Sequence, residues 1–217
     1  MMTRSSPSYP SAASGRPRAE RVTAGLLDAA LLTLAEEGLE AATVARLAAQ
    51  ARTSKQAVYR RWPDKASLIA ASLRSALNKV SPPAPRRGSV AQDLRLYLTD
   101  LVQALQATPL GRAVKSVSAL KNQPQLAAVL QDAEDARRLA LRQIFIATPF
   151  EADMETRIDL LLGLVYFKLH VRDQSVSPAD IEAAIHLVLG LTAPKSPNVN
   201  LRPETGNAPD RAPVPFP

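Results

Sequence analysis

Cysteine is absent from this 217-residue sequence, which excludes a disulfide framework, a thiolate metal site and a thiol nucleophile. Histidine occurs only at His170 and His186, which removes much of the chemistry that depends on imidazole. No nucleophile is paired with a base and no carboxylates cluster in a recognisable catalytic frame, so no catalytic residue, metal or cofactor is expected. Long hydrophobic runs are missing as well. The longest, residues 160–167, is far too short to span a bilayer, and no apolar leader with a cleavage site follows Met1. A soluble, cytoplasmic chain with no membrane partner is the expectation. Convincing period-two alternation is also lacking, so an all-α fold is the economical reading.

What is present in excess is positive charge. The net charge is +7 with a pI near 10.0, and the excess is confined to the first two thirds of the chain. That balance favours a polyanionic partner such as nucleic acid. Residues 1–17 and 193–217 are rich in Pro, Ser, Ala and Asn without an apolar period, and read as disordered tails, the first of them basic. Between them the spacing predicts about nine helices. The first four span residues 18–80, with Gly38 ending helix one and Thr43, Ser54 and Asp64 capping the next three. A proline-rich joint, "SPPAPRRGS", marks a boundary at 81–88. Five further helices are expected over 89–192, starting near Ser89, Pro109, Pro124, Asp153 and Ser177.

The stretch "TVARLAAQARTSKQAVYRRW" carries the sharpest signal. Two short helices joined by a turn of three or four residues would bring Ala48 against Val58, a small residue allowing a close crossing. With Val58 inward and about 100° per residue, Gln56 and Arg60 lie on the far side with Ala57 and Tyr59 beside them. An amide, a guanidinium and a phenol suit base edges and phosphates in a major groove. A merely solvated cationic face on a three-helix core stays open on this pattern alone. Trp62 is expected to pack beneath the third helix.

Residues 26–73 resemble the TetR-type bacterial transcriptional regulators. The likeness lies in "LLDAALLTLAEEGLEAATVARLAAQARTSKQAVYRRWPDKASLIAASL", with its acidic pair before Gly38, Thr43, Ser54-Lys55, Tyr59, Trp62 and Lys65 in order. It implies an N-terminal three-helix helix-turn-helix DNA-binding domain over 18–80, its fourth helix a connector. A larger helical domain for effector binding and dimerisation would occupy 89–192. Carried over, it puts Gln56 and Ala57 at bases. Lys55, Tyr59, Arg60, Arg61 and Lys65 would lie near the backbone, Thr43 on a phosphate, and Ser54 and Arg46 are counted with them. Two departures stand out: Arg52 sits in the turn where the family usually has glycine, and Thr53 replaces a common valine. Leu34 and Leu39 stand where aromatics are frequent.

Other features are weaker. "GRPR" could place Arg16 and Arg18 on an extended arm in an A·T-rich minor groove, or belong to a solubilising tail. The acidic set Glu151, Asp153, Glu155 and Asp159 reads as charge favoured at a helix N-terminus rather than a metal site. Tyr97, Phe145, Met154, Tyr166, Phe167 and His170 are the candidates for lining an effector pocket, although such residues at helical spacing are usually core. In "DLLLGLVYFKL" and "IEAAIHLVLGL" apolar residues occupy nearly the whole circumference, which calls for a second copy as cover. The interface candidates are Leu161, Gly163, Leu164, Val165, Ile185, Val188, Leu189 and Gly190. The expected partners are a roughly palindromic double-stranded operator, a small-molecule effector and a second copy of the chain. Together these make a repressor the leading expectation, against an effectorless activator or architectural DNA-binding protein, or a small helical enzyme.

Overall fold

The computed structural model describes residues 15–80, 84–118 and 123–190, with side chains from residue 19 onward in the first helix. Among these residues there are nine α-helices, one π-helical turn and no strand. The first helix, α1 (Gly15–Ala41), buries Leu26, Ala30 and Leu34 at four-residue spacing. It begins earlier than the predicted residue 18. Pro17 is tolerated because first-turn N–H groups lack intrahelical acceptors. At Gly38 the chain turns to φ 82°, ψ −177°, which breaks the helix where the sequence predicts a stop.

Three short-range caps then set the next helices. The Thr43 hydroxyl accepts the Arg46 N–H at 3.3 Å and starts α2 (Val44–Gln50). Ser54 accepts the Ala57 N–H at 3.1 Å to start α3 (Lys55–Tyr59). Asp64 accepts the Ser67 N–H at 2.7 Å to start α4 (Lys65–Leu77). Each cap satisfies a donor that the first turn would leave unpaired.

The body consists of α5 (Val90–Gln106), α6 (Pro109–Ser118), α7 (Pro124–Phe145), α8 (Met154–Tyr166) with a π-turn (Phe167–Val171), and α9 (Pro178–Val188). Residues 119–121 and 191–192, assigned to helices by the sequence pattern, lie outside the described residues, as do residue 122 and the termini 1–14 and 193–217. The buried Asp93 carboxylate accepts the N–H groups of Arg86 and Arg87 at 3.0 and 3.1 Å, folding the end of the proline-rich joint onto α5. Ser177 and Asp180 form a reciprocal capping box at α9.

Packing joins the first four helices to the rest where α1 lies on α6 and where α4 packs against both α6 and α7. The Ser72 hydroxyl of α4 donates to the Leu27 carbonyl of α1 at 2.6 Å, a part-buried bond. At the α5–α6 corner Gly111 is required sterically: a Cβ there would fall 2.0 Å from the Leu105 carbonyl oxygen. Helix α1 thus rests directly on both α4 and α6.

Candidate nucleic-acid interface

Helix α2 packs against α3, and Ala48 and Val58, the residues expected at their crossing, are both buried. Between them Arg52 stands at φ 52° and the Thr53 N–H donates back to the Ala48 carbonyl at 2.9 Å. The turn thus takes the left-handed conformation in which a side chain is unfavourable, with arginine in place of glycine.

Val58 points inward at 1% exposure, which turns the other face of α3 outward. Lys55, Gln56, Tyr59 and Arg60 are exposed, and their side chains have no hydrogen-bond or ion-pair partner among the described residues, whereas Ala57 is half-buried. Lys65, first in α4, is half-buried and equally unpartnered. Ser54 and Thr43 are exposed, but their hydroxyls already serve as caps. Two predicted contact residues are committed inside the head. Arg46 forms a two-pronged pair with Glu37, one prong at 2.7 Å, and that hydrogen bond holds the Glu37 carboxyl below the usual carboxylate range. Arg61 donates to the Thr23 hydroxyl and ties the end of α3 to α1. Trp62 is half-buried and packed against the core. Residues 15–18 correct the extended-arm reading: they form the first turn of α1, and the Arg16 and Arg18 side chains lie outside the described residues.

In the body, a cavity of about 280 Å³ opens between α4, α5 and α7. Leu77, Leu101 and Val129 form apolar wall, and Arg74, Tyr97, Asp100 and Arg137 bring polar groups to it. Burial pushes the Tyr97 phenol up to about 12, so it stays neutral. Of the six effector candidates only Tyr97 lines this space. Phe145 is fully buried in the core and Met154 packs against it. Phe167 is 51% exposed on the outside. Tyr166 and His170 stack on each other at 5.9 Å, with His170 facing a separate cavity beside α6. Arg74, Leu101, Val129 and Arg137 are not among the effector candidates that the sequence pattern offers. Their helices show which residues face inward, but not where three helices fail to close.

The last helices also redistribute the predicted interface. Leu161, Val165 and Ile185 are at most 1% exposed, and Val188 and Leu189 at most 7%, so all five belong to the subunit's own core. Gly163 and Gly190 are exposed and Leu164 is half-buried. Gly190, at φ 67°, terminates α9 in the left-handed conformation. The exposed large apolar side chains of these elements are Leu160, Phe167, Val171 and Leu187, between 51% and 75% exposed.

The acidic set is taken up by arginines and backbone. Glu155 pairs with Arg142 and Arg138, Asp159 with Arg138, Asp153 with Arg157, and Glu151 accepts the Ala147 N–H. No helix among the described residues is long and apolar enough to cross a membrane.

Comparison with known proteins bears on the whole arrangement. Residues 26–72 match "Bacterial regulatory proteins, tetR family", and residues 84–188 match "Tetracyclin repressor-like, C-terminal domain". The HTH-type transcriptional regulator YdeS of Bacillus subtilis (strain 168) is 30% identical over 175 residues, covering 75% of this chain and 85% of that protein. An HTH-type transcriptional regulator of Mycobacterium tuberculosis (strain ATCC 25618 / H37Rv), Rv1556, is also 30% identical over 175 residues, covering 76% and 84%. Among solved structures, a TetR transcriptional regulator from Agrobacterium tumefaciens superposes with a TM-score of 0.63 at 26% identity, covering 80% of this chain and 93% of the other. The TetR family regulator SCO0332 gives 0.59 at 26% identity, covering 79% and 98%. With a capped helix-turn-helix carrying an uncommitted cationic face and a helical body behind it, the chain belongs to the TetR family of DNA-binding transcriptional regulators and is not an enzyme.

Proposed function

We propose that this regulator is a homodimeric cytoplasmic repressor that a small molecule releases from an approximately palindromic operator. On this reading Gln56 and Ala57 meet base edges, while Lys55, Tyr59, Arg60 and Lys65 hold the phosphates. The observation that carries the release step is the shared role of α4. Its N-terminus follows the reading helix, its side packs on α1, and its Arg74 and Leu77 form wall of the cavity. A molecule seated there acts on the helix that sets the reading head's position. It shifts the DNA-binding equilibrium only by its different affinity for the two arrangements.

The open face of α8, the π-turn and α9 supports the dimer. Leu160 and Leu187 are 60% and 75% exposed, and a Cβ at Gly163 would meet nothing within 4 Å, so the subunit's own packing does not require glycine there. A second copy laid on this face would form a four-helix interface, isologous under two-fold symmetry. Two reading helices related by that axis would enter major grooves about 34 Å or a multiple apart, which gives the operator its palindrome.

Selection of bound fragments from random DNA, with sedimentation of the purified full chain, tests this directly. A dimer on a repeated inverted half-site is expected, and a small-molecule library should contain compounds that raise the Tm and release that DNA. A folded monomer on an unrepeated site overturns the dimer and the palindrome together. A library yielding only stabilisers that leave the DNA complex intact favours an effectorless regulator.

A further inference from the structure

Arg137 is the group in the α4–α5–α7 cavity with the most unmet chemistry. Its side chain is 15% exposed, and the nearest carboxylate oxygen, Glu134 Oε2, is 3.6 Å away, beyond hydrogen-bond length. That oxygen already accepts the Tyr166 hydroxyl at 2.8 Å, and the other Glu134 oxygen faces Arg138 at 3.3 Å. The Arg137 guanidinium therefore makes no hydrogen bond among the described residues, yet its nitrogens are not sealed off: the buried orphan atoms are Arg157 Nε and His170 Nδ1. A largely desolvated guanidinium with its donors free and reachable is a costly arrangement unless something supplies an acceptor. Its planar fork matches a carboxylate on two parallel N–H donors.

We propose that the effector is a compact amphipathic monocarboxylate whose acid group is held by Arg137, a proposal that rests on the reading of this cavity as the effector site. The size and the walls agree. About 280 Å³ lies at the small end of ligand sites, and Leu101 and Val129 offer apolar surface to the rest of the molecule. Of the two acidic groups lining the cavity, Asp132 pairs with Arg74 at 3.5 Å, while the unpaired Asp100 disfavours a second negative charge, which separates a monoanion from a diacid. Asp100 has no partner either, but it is exposed and solvated, so it needs no ligand cation. The burial penalty falls on Arg137.

Titration calorimetry on the full chain decides the matter, with octanoate and phenylpropanoate against octanol, phenylpropanol and octylamine. At least one acid should bind about tenfold to a hundredfold tighter than its own alcohol, the contribution of a hydrogen bond to a charged group. Whichever acid binds tells an aliphatic body from an aromatic one. In Arg137→Met the acid preference should vanish while the alcohol's affinity survives, and Arg137→Lys should restore part of it. Alcohols binding as well as acids, a preference for octylamine, an undiminished acid preference in Arg137→Met, or no binding of any probe would each overturn the proposal. If Arg137→Met does not fold, the acid-to-alcohol ratio of the unaltered chain decides alone. An alcohol that releases DNA without acid preference removes the charge assignment and leaves the effector reading standing. An acid that binds through Arg137 without releasing DNA does the reverse.

Discussion

Cationic side chains are free on the reading surface, whereas in the helical body many of them are tied to carboxylates. Arg52, Lys55, Arg60 and Lys65 have no partner among the described residues. In the body Arg95 pairs with Glu182, Arg138 with Glu134, Glu155 and Asp159, Arg142 with Glu155, and Lys168 with Asp180. Those paired cations brace one helix or stitch it to the next, so their charge is spent within the fold, whereas the exposed Arg112 and Arg172 have no side-chain partner among the described residues. Those of the head leave their charge for a polyanion, where each phosphate neutralised releases a counterion. Even within the head the distinction holds: Arg46 and Arg61 turn inward to Glu37 and Thr23, so they brace the surface that the unpaired side chains present.

The largest effect should come from charging the body's open face. Leu187 is 75% exposed, so Leu187→Glu should leave the fold of one subunit nearly unchanged, within about 0.5 kcal/mol. Against a second copy it buries an unpaired carboxylate, and sedimentation should show monomer. Affinity for a two-half-site operator should then fall about a hundredfold or more, because the second head no longer binds intramolecularly. A persistent dimer would move the interface elsewhere.

Within the head, Gln56→Ala should change preference at one base position per half-site by about 1–3 kcal/mol without moving the Tm. Lys65→Ala should instead weaken all sequences alike and reduce the salt slope by about one unit per half-site. Uniform weakening by Gln56→Ala would reassign it to the backbone.

A committed charge should behave in the opposite way. The Asp180 carboxylate accepts from Lys168 at 2.6 Å and from the Ser177 N–H at 2.7 Å, and these bonds, led by Lys168, lower its pKa to about 2. The stabilisation is complete above the unfolded value near 4 and is lost as pH falls through about 2. Asp180→Asn should therefore cost about 1–2 kcal/mol in urea unfolding at neutral pH, allowing for solvent screening, with the difference fading toward pH 2 and DNA affinity unchanged. A constant difference across that range would mean that packing, not charge, is lost.

The same contrast between local and distant causes separates what the sequence made legible from what it did not. Thr43, Ser54 and Asp64 act on N–H groups three residues away, so the helix starts of the head could be read from residue type and spacing. Val58 had one inward direction open to it. In α8 the neighbours Leu160 and Leu161 are chemically identical, yet one is 60% exposed and the other fully buried. Only the packing of α7 and α9 against α8 decides between them, and no pattern within one helix carries that information. The cavity is harder still, since Arg137 stands out by the hydrogen bond it lacks within the chain rather than by one it makes.

Arg52 offers the finest test, because it is the free cation of the reading head that carries backbone strain. A side chain at φ 52° costs about 1–2 kcal/mol relative to a right-handed conformation, and glycine avoids that penalty while adding some unfolded-state entropy. Arg52→Gly should therefore stabilise the chain by about 1 kcal/mol, read as a higher urea midpoint with an unchanged slope. If the exposed guanidinium is held there for a phosphate, the same substitution should weaken DNA binding and lower its salt dependence, so that stability and affinity move in opposite directions. A gain in stability with DNA binding untouched would mean that the strain serves no contact. No gain at all would mean that the turn is relaxed, and that Thr53 and Ala48 hold it whatever residue precedes them.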